Sequence, residues 1–380
     1  WWTNDPQRAL ANNSVAYTEK PDSLSFMREW MALVESGSGE RGIFNREASK
    51  AQAAKYGRRD PDWQFGTNPC SEIILRPYQF CNLTEVVVRS NDNFADLGRK
   101  VRIATTLGTI QSTYTKFPYL RKIWKDNTEE ERLLGVSLTG IMDNPLLTSK
   151  TNGLSKNLEN LRQVAVNTNN SLADTLGINP STAITCVKPS GTVSQLVDSA
   201  SGIHARHSKH YIRTVRGDNK DPLTAFMKDQ GIPSEPCVMK PDQTTVFSFP
   251  IKSPTNAIVT EDMSAVDQLE TWLMYQRHWC EHKPSVTINV RKDEWFEVGA
   301  FVYKHFDEMS GVSFLPYNEH TYQQAPYQSI MKSEYVTLLS LMPEKIDWSA
   351  LTDYEKEDST NSSQTFACTG DVCEVVDIGA

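Results

Sequence analysis

The sequence predicts an α/β protein built on a parallel sheet or barrel. Short apolar runs able to form buried strands recur along the chain, at IIL (73–75), VVV (86–88), TAITCV (182–187), TTVFSFPI (244–251) and SVTINV (285–290). Stretches with helical periodicity separate them, notably 156–175 and 262–282. Strands alternating with helices are the pattern of a parallel sheet, and 380 residues suffice for one large unit of this kind or for two to three domains.

The elements follow in chain order. Residues 20–35 (KPDSLSFMREWMALVE) read as an amphipathic helix, with Asp22 or Ser23 as N-cap and Phe26, Trp30 and Leu33 on one face. The Gly-rich GSGERG ends that segment, and a mixed stretch leads to Asn68. The next two apolar runs flank Cys70 and Cys81, so both cysteines fall between strands. From Asp347 onward there are eight acidic residues against one lysine, and EKEDSTNSSQT reads as a solvated linker ahead of CTGDVC. The expected division is a body over residues 1–345 and an acidic tail over 346–380.

Composition narrows the function classes. A formal net charge of -8 disfavours coating a nucleic-acid polymer, which needs a basic stripe against the phosphates. No run of about 18 apolar residues and no charged-then-apolar leader is present, which predicts a cytoplasmic protein without a membrane span. In a reducing compartment the seven cysteines point to catalytic or redox use rather than a disulfide framework.

The densest chemistry lies in NPCSEIILRPYQFCNLTEV, residues 68–86. If residues 68–72 are extended, Asn68, Cys70 and Glu72 point to the same side. A carboxylate beside a thiol raises the thiol pKa, which is wrong for a thiolate nucleophile. The trio suits hydrogen-atom chemistry instead: a neutral thiol as radical carrier, a carboxylate to take a hydroxyl proton, and an amide to orient the substrate. A buried cysteine in an Asn-Pro turn is the plainer alternative. Cys368 and Cys373, spaced C-x4-C on the tail, allow a reversible disulfide that could swing in to reduce another one. A zinc half-site there lacks a second ligand pair. HWCEH (His278, Cys280, His282) and HARHSKH (His204, His207, His210) also lack a completing set, so no metal is expected. In CVKPSGTVSQL (186–196), a strand ends in Lys-Pro and Ser190-Gly191-Thr192 opens a helix, a candidate anion site that taken alone reads first as an ordinary capped turn.

These segments, with ERLLGVSLTGIMD (131–143), SGIHARHSKHYIR (202–213), EHKPSVTINV (281–290), SGVSFLPYNEHTYQQAPY (310–327) and the terminal ACTGDVC, together resemble adenosylcobalamin-dependent (class II) ribonucleotide reductase. The likeness is closest to the C-terminal half of the monomeric ribonucleoside-triphosphate type. It implies half of a ten-stranded α/β barrel with a central finger loop, and a flexible redox tail. By that likeness Cys70 is the thiyl radical, Glu72 the base for the ribose 3′-hydroxyl and Asn68 the ribose-positioning amide. Cys81 is one half of the reducing dithiol, and Cys368 with Cys373 is the relay served by a thioredoxin-like reductant. Pro189, Ser190, Gly191 and Thr192 hold substrate phosphate, and adenosylcobalamin is the cofactor. Family members are roughly twice as long, so a complementary N-terminal half is the expected partner, bringing the other thiol of the dithiol. The alternatives are a class I catalytic-subunit fragment, disfavoured by the lack of a Tyr-Tyr pair, and a non-catalytic thiol-redox or nucleotide-binding remnant.

Overall fold

The structure, a computed structural model, describes residues 14–37, 42–148, 152–317, 322–356, 367–369 and 372–374. The chain divides into two compact units, one within Trp1–Arg206 and Asn256–Tyr317, the other within His207–Thr255 and Asn318–Ala380.

The first unit carries strands β1 (Ser14–Tyr17), β2 (Gly42–Asn45), β3 (Gly66–Thr67), β4 (Ile74–Leu75), β5 (Asn82–Val87), β6 (Leu134–Thr139) and β7 (Thr185–Cys186). The second carries β8 (His210–Asp218), β9 (Ser234–Pro236) and β10 (Thr244–Lys252). Then β11 (Thr287–Val290) and β12 (Gly311–Pro316) return to the first unit, and β13 (Tyr327–Ser329), β14 (Ala367–Thr369) and β15 (Val372–Glu374) belong to the second.

In the first unit β5, β6 and β7 pair in parallel, as do β11 with β12 and β1 with β2. A single parallel bridge between Val187 and Pro284 links the β7 and β11 segments, and β12 meets β2 antiparallel. Every residue of β6, LGVSLT, is buried, as expected for a parallel strand covered on both faces. Gly135 makes this possible, since a Cβ there would lie 2.4 Å from Leu83 Cδ2 and 2.9 Å from Ile73 Cδ1. The helix Phe94–Gln111 starts in a reciprocal Asn93/Asp96 capping box and turns Leu97, Val101, Ala104 and Gly108 inward. It packs on β5 and on the helix Asn152–Leu176. The helix expected over 20–35 is Ser23–Glu35, with the Asp22 carboxylate accepting the Leu24 and Ser25 N–H groups and Phe26 and Leu33 buried. Among the described residues no closed barrel forms.

The second unit corrects one expectation. TTVFSFPI lies in an antiparallel sheet of order β13-β8-β10-β9, with Thr244 opposite Asp218 and Lys252 opposite His210. A short helix, Pro222–Asp229, and the β9 edge strand intervene between β8 and β10, and the returning chain pairs antiparallel with both strands. The helix-strand alternation seen in sequence does not carry strand direction.

Candidate active site

Asn68 to Ile73 form the tip of a hairpin whose stem is the antiparallel pairing of Gly66 with Leu75 and Thr67 with Ile74. The tip is a tight turn: the Ser71 N–H donates to the Asn68 carbonyl at 2.9 Å, and Ser71 takes φ of +66°. The extended run expected for residues 68–72 is therefore absent, because Pro69 and the left-handed Ser71 fold the chain back. The three side chains differ in surroundings as a result. Cys70 is exposed, Glu72 is buried, and the Asn68 Oδ1 accepts the Ile73 N–H at 3.0 Å, closing the turn from inside.

A second segment, residues 282–285, fastens this loop from below. The Ile74 N–H donates to His282 Nδ1 at 3.3 Å, the Lys283 N–H donates to the Glu72 carbonyl at 3.2 Å, and the Ser285 hydroxyl donates to the Cys70 carbonyl at 2.6 Å. The Lys283 ammonium donates to Ser71 Oγ at 3.0 Å and to the Gly311 carbonyl at 3.3 Å. At the hairpin stem, buried Arg59 pairs with both oxygens of Glu131, at 2.9 and 3.0 Å, and donates to the Ile74 carbonyl at 2.8 Å. Gln79 joins that pair and accepts the Arg76 N–H at 3.1 Å. Cys81 follows directly, half-buried at the start of β5.

Electrostatics keep both thiols protonated. Partial burial and then the Glu72 carboxylate push the Cys70 pKa up, with Lys188 opposing. Burial, and again Glu72, raise the Cys81 thiol well above its ordinary value. Cys186 on β7 is fully buried and raised by the same causes. Glu72 is thus close enough for its charge to reach three thiols. Its Oε2 is buried with no hydrogen-bond partner among the described residues, an acceptor left open in the interior. A buried acceptor without a donor costs free energy, roughly 1–3 kcal/mol, and calls for a partner.

Pro189 to Thr192 follow β7, one residue beyond Lys188, whose charge reaches Cys70. The Lys188 N–H donates to Ser137 Oγ at 2.8 Å, and its ammonium lies 3.6 Å from Glu85 Oε2. Ser190 has φ of +48°, and its buried hydroxyl has no partner among the described residues. Gly202 passes so near that a Cβ there would lie 2.1 Å from the Lys188 carbonyl oxygen. The expected helix is the single turn Val193–Leu196, too short to aim a dipole at an anion, so any anion reading rests on the turn itself.

In the histidine-rich segments several rings have partners within the protein. His278 pairs with Glu159 at 2.7 Å, and His204 Nε2 accepts the Thr287 N–H at 3.1 Å. His282 is fully buried, and His207 stacks on Tyr327. Among the described residues no group of three or more His, Cys, Asp or Glu could hold a metal ion. Cys368 and Cys373 are opposite one another in the backbone register of the β14–β15 pairing. Sequence reasoning missed Lys283 and His282 as parts of the site. Their signal was the charged EHK embedded between an apolar helix and SVTINV.

No family model matches the chain. It is 28% identical over 365 residues to the adenosylcobalamin-dependent ribonucleoside-triphosphate reductase of Lactobacillus gasseri, a match covering 86% of this chain and 47% of the relative. The enzyme of the same name from Euglena gracilis is 27% identical over 337 residues, covering 86% and 45%. The chain therefore spans about half the length of the curated relatives it matches. The crystal structure of a B12-dependent (class II) ribonucleotide reductase superposes with a TM-score of 0.78 at 25% identity, covering 92% of this chain and 52% of that one. The class Id ribonucleotide reductase alpha subunit of Actinobacillus ureae shares the fold, at a TM-score of 0.51 and 12% identity over 80% of this chain and 65% of its own.

Proposed function

We propose that this chain carries the radical site and redox tail of an adenosylcobalamin-dependent ribonucleotide reductase that converts ribonucleoside triphosphates to 2′-deoxyribonucleotides. The observation that supports this most directly is the hairpin tip. It presents an exposed thiol held protonated beside a buried carboxylate with an open acceptor, in a chain similar over most of its length to enzymes of that name.

The chemistry adenosylcobalamin supplies when bound is a radical equivalent from cobalt–carbon homolysis. Cys70, exposed at the tip and kept as S–H, fits it as the hydrogen-atom donor and is the residue that would meet it. The Cys70 thiyl radical then takes the 3′-hydrogen of the ribose. Glu72 Oε2 accepts the 3′-hydroxyl proton, which makes departure of the 2′-hydroxyl as water easier. Asn68 holds the turn through Oδ1 and orients the ribose through its NH2 end. Cys81 and a second thiol together give up two electrons and two protons and become a disulfide, so one water and one deoxyribonucleotide leave per disulfide formed. Cys368 and Cys373, on a tail taken to begin at residue 346, reduce that disulfide by exchange and are themselves reduced by a thioredoxin-like protein. Ser190 and the backbone of Pro189 to Thr192 receive substrate phosphate.

In this reading the parallel strands β5, β6, β7, β11 and β12 form one half of a ten-stranded barrel, with the Cys70 hairpin as its central finger, in the body ending at residue 345. The remaining half and the second thiol come from a polypeptide corresponding to the rest of the relatives' length. To test this, the chain is assayed with adenosylcobalamin, a ribonucleoside triphosphate and dithiothreitol, with and without that complementary portion. Deoxynucleotide is expected only from the combination. Its absence in both favours the non-catalytic remnant.

A further inference from the structure

Lys283 is a charged side chain only 1% exposed, and no step of the proposed reaction uses it. Its ammonium occupies a place prepared by the fold. Gly311 has no side chain where one would collide, since a Cβ there would lie 2.5 Å from Nζ, and the Gly311 carbonyl accepts from Nζ instead. Burying an ammonium is expensive unless its donors are used for something. Here one of them is spent on Ser71 Oγ at 3.0 Å, on the residue that lies between Cys70 and Glu72 and takes the left-handed conformation that L-residues disfavour. The Lys283 backbone N–H meanwhile holds the Glu72 carbonyl.

We propose that Lys283 is a positioning residue, whose buried ammonium locks Ser71 in the turn that keeps Cys70 at the tip and Glu72 beneath it. The lock stands on contacts within the chain. Only its catalytic importance rests on the reductase reading.

The lock is sensitive to protonation. Burial brings the Lys283 pKa down to about 7, against the pull of the Glu72 carboxylate, which favours the ammonium; Cys280, the other titratable group that faces it, has its own thiol pushed well above its ordinary value by burial. A neutral amine is a weaker donor to Ser71, so the loop loosens as pH rises through that value.

The test uses the chain without nucleotide or cobalamin, so its failure is distinct from failure of the reductase reading. Hydrogen exchange of residues 68–75, corrected for intrinsic rates, and alkylation of Cys70 by iodoacetamide are followed from pH 6 to 9. The wild-type loop should be protected at pH 6 and lose protection in a step near pH 7. Lys283→Met should exchange at least about tenfold faster at pH 6 and show no step. Ser71→Ala removes only the acceptor and should show the same loosening, which keeps the test decisive if Lys283→Met does not fold. Wild-type loop protection in a folded Lys283→Met chain, or in Ser71→Ala, overturns the proposal. A lysine with a merely structural role would move the unfolding midpoint and leave the loop's pH step in place.

Discussion

His282 Nε2 lies 2.9 Å from the Leu134 carbonyl while its Nδ1 accepts the Ile74 N–H, so the ring ties the hairpin to β6 with one nitrogen donating and the other accepting. That pattern requires neutral imidazole, and burial brings its pKa down to about 3.

Acid stability tests this. Between about 3 and the ordinary 6.5 the unfolded chain binds a proton that folded His282 refuses, so its contribution is present above 6.5 and is lost as pH falls toward 3. Urea midpoints taken across that window should decline less steeply for His282→Gln, by up to about 1.4 kcal/mol per pH unit. Parallel profiles for the two proteins would place the titrating group elsewhere.

Cys70→Ser should abolish deoxynucleotide formation by the complemented enzyme with every reductant, because a hydroxyl O–H is too strong to serve as the radical carrier. Glu72→Gln keeps the shape and removes the base, and should lower kcat by about 100-fold or more with KM little changed. Appreciable product from the serine variant, or a near-native rate from the glutamine variant, would move these roles to other residues.

The Arg59–Glu131 pair is nearly inaccessible, at 2% and 4% side-chain exposure. Removing one partner strands the other charge, and Arg59→Met should cost about 3–5 kcal/mol. Because Arg59 also holds the Ile74 carbonyl, the hairpin should lose exchange protection alongside the drop in Tm. A loss below about 1 kcal/mol would show that the pair is well solvated.

Replacing Cys368 and Cys373 together by Ser should stop turnover with thioredoxin after about one cycle, while dithiothreitol restores it. Equal loss with both reductants would assign the tail pair a structural part.

Much of this was legible in the sequence because it is local. Asp22 followed by a 3.6-residue apolar pattern specified the first described helix, and NPCSEI singled out the residues that fall at the hairpin tip, though not their conformation. What escaped was what non-local pairing decides. β10 has the apolar, aromatic character of any buried strand, and nothing in TTVFSFPI tells an antiparallel from a parallel partner. The alternation of Asn68, Cys70 and Glu72 suggested an extended run, yet Asn-Pro and a left-handed Ser71 make a turn that distant residues stabilise. Lys283 was hidden because its partner Ser71 is 212 positions away.

That separation has a consequence for how the protein is made. The loop bearing Cys70 leaves the ribosome long before residues 282–285, its fasteners, have been polymerised. At about 5–20 residues per second the interval is roughly 10 to 40 s. During it the nascent thiol lacks both its turn and its neighbours, and is open to oxidants and to other chains. The order of synthesis, rather than the finished fold, sets when the Cys70 sulfur is least protected.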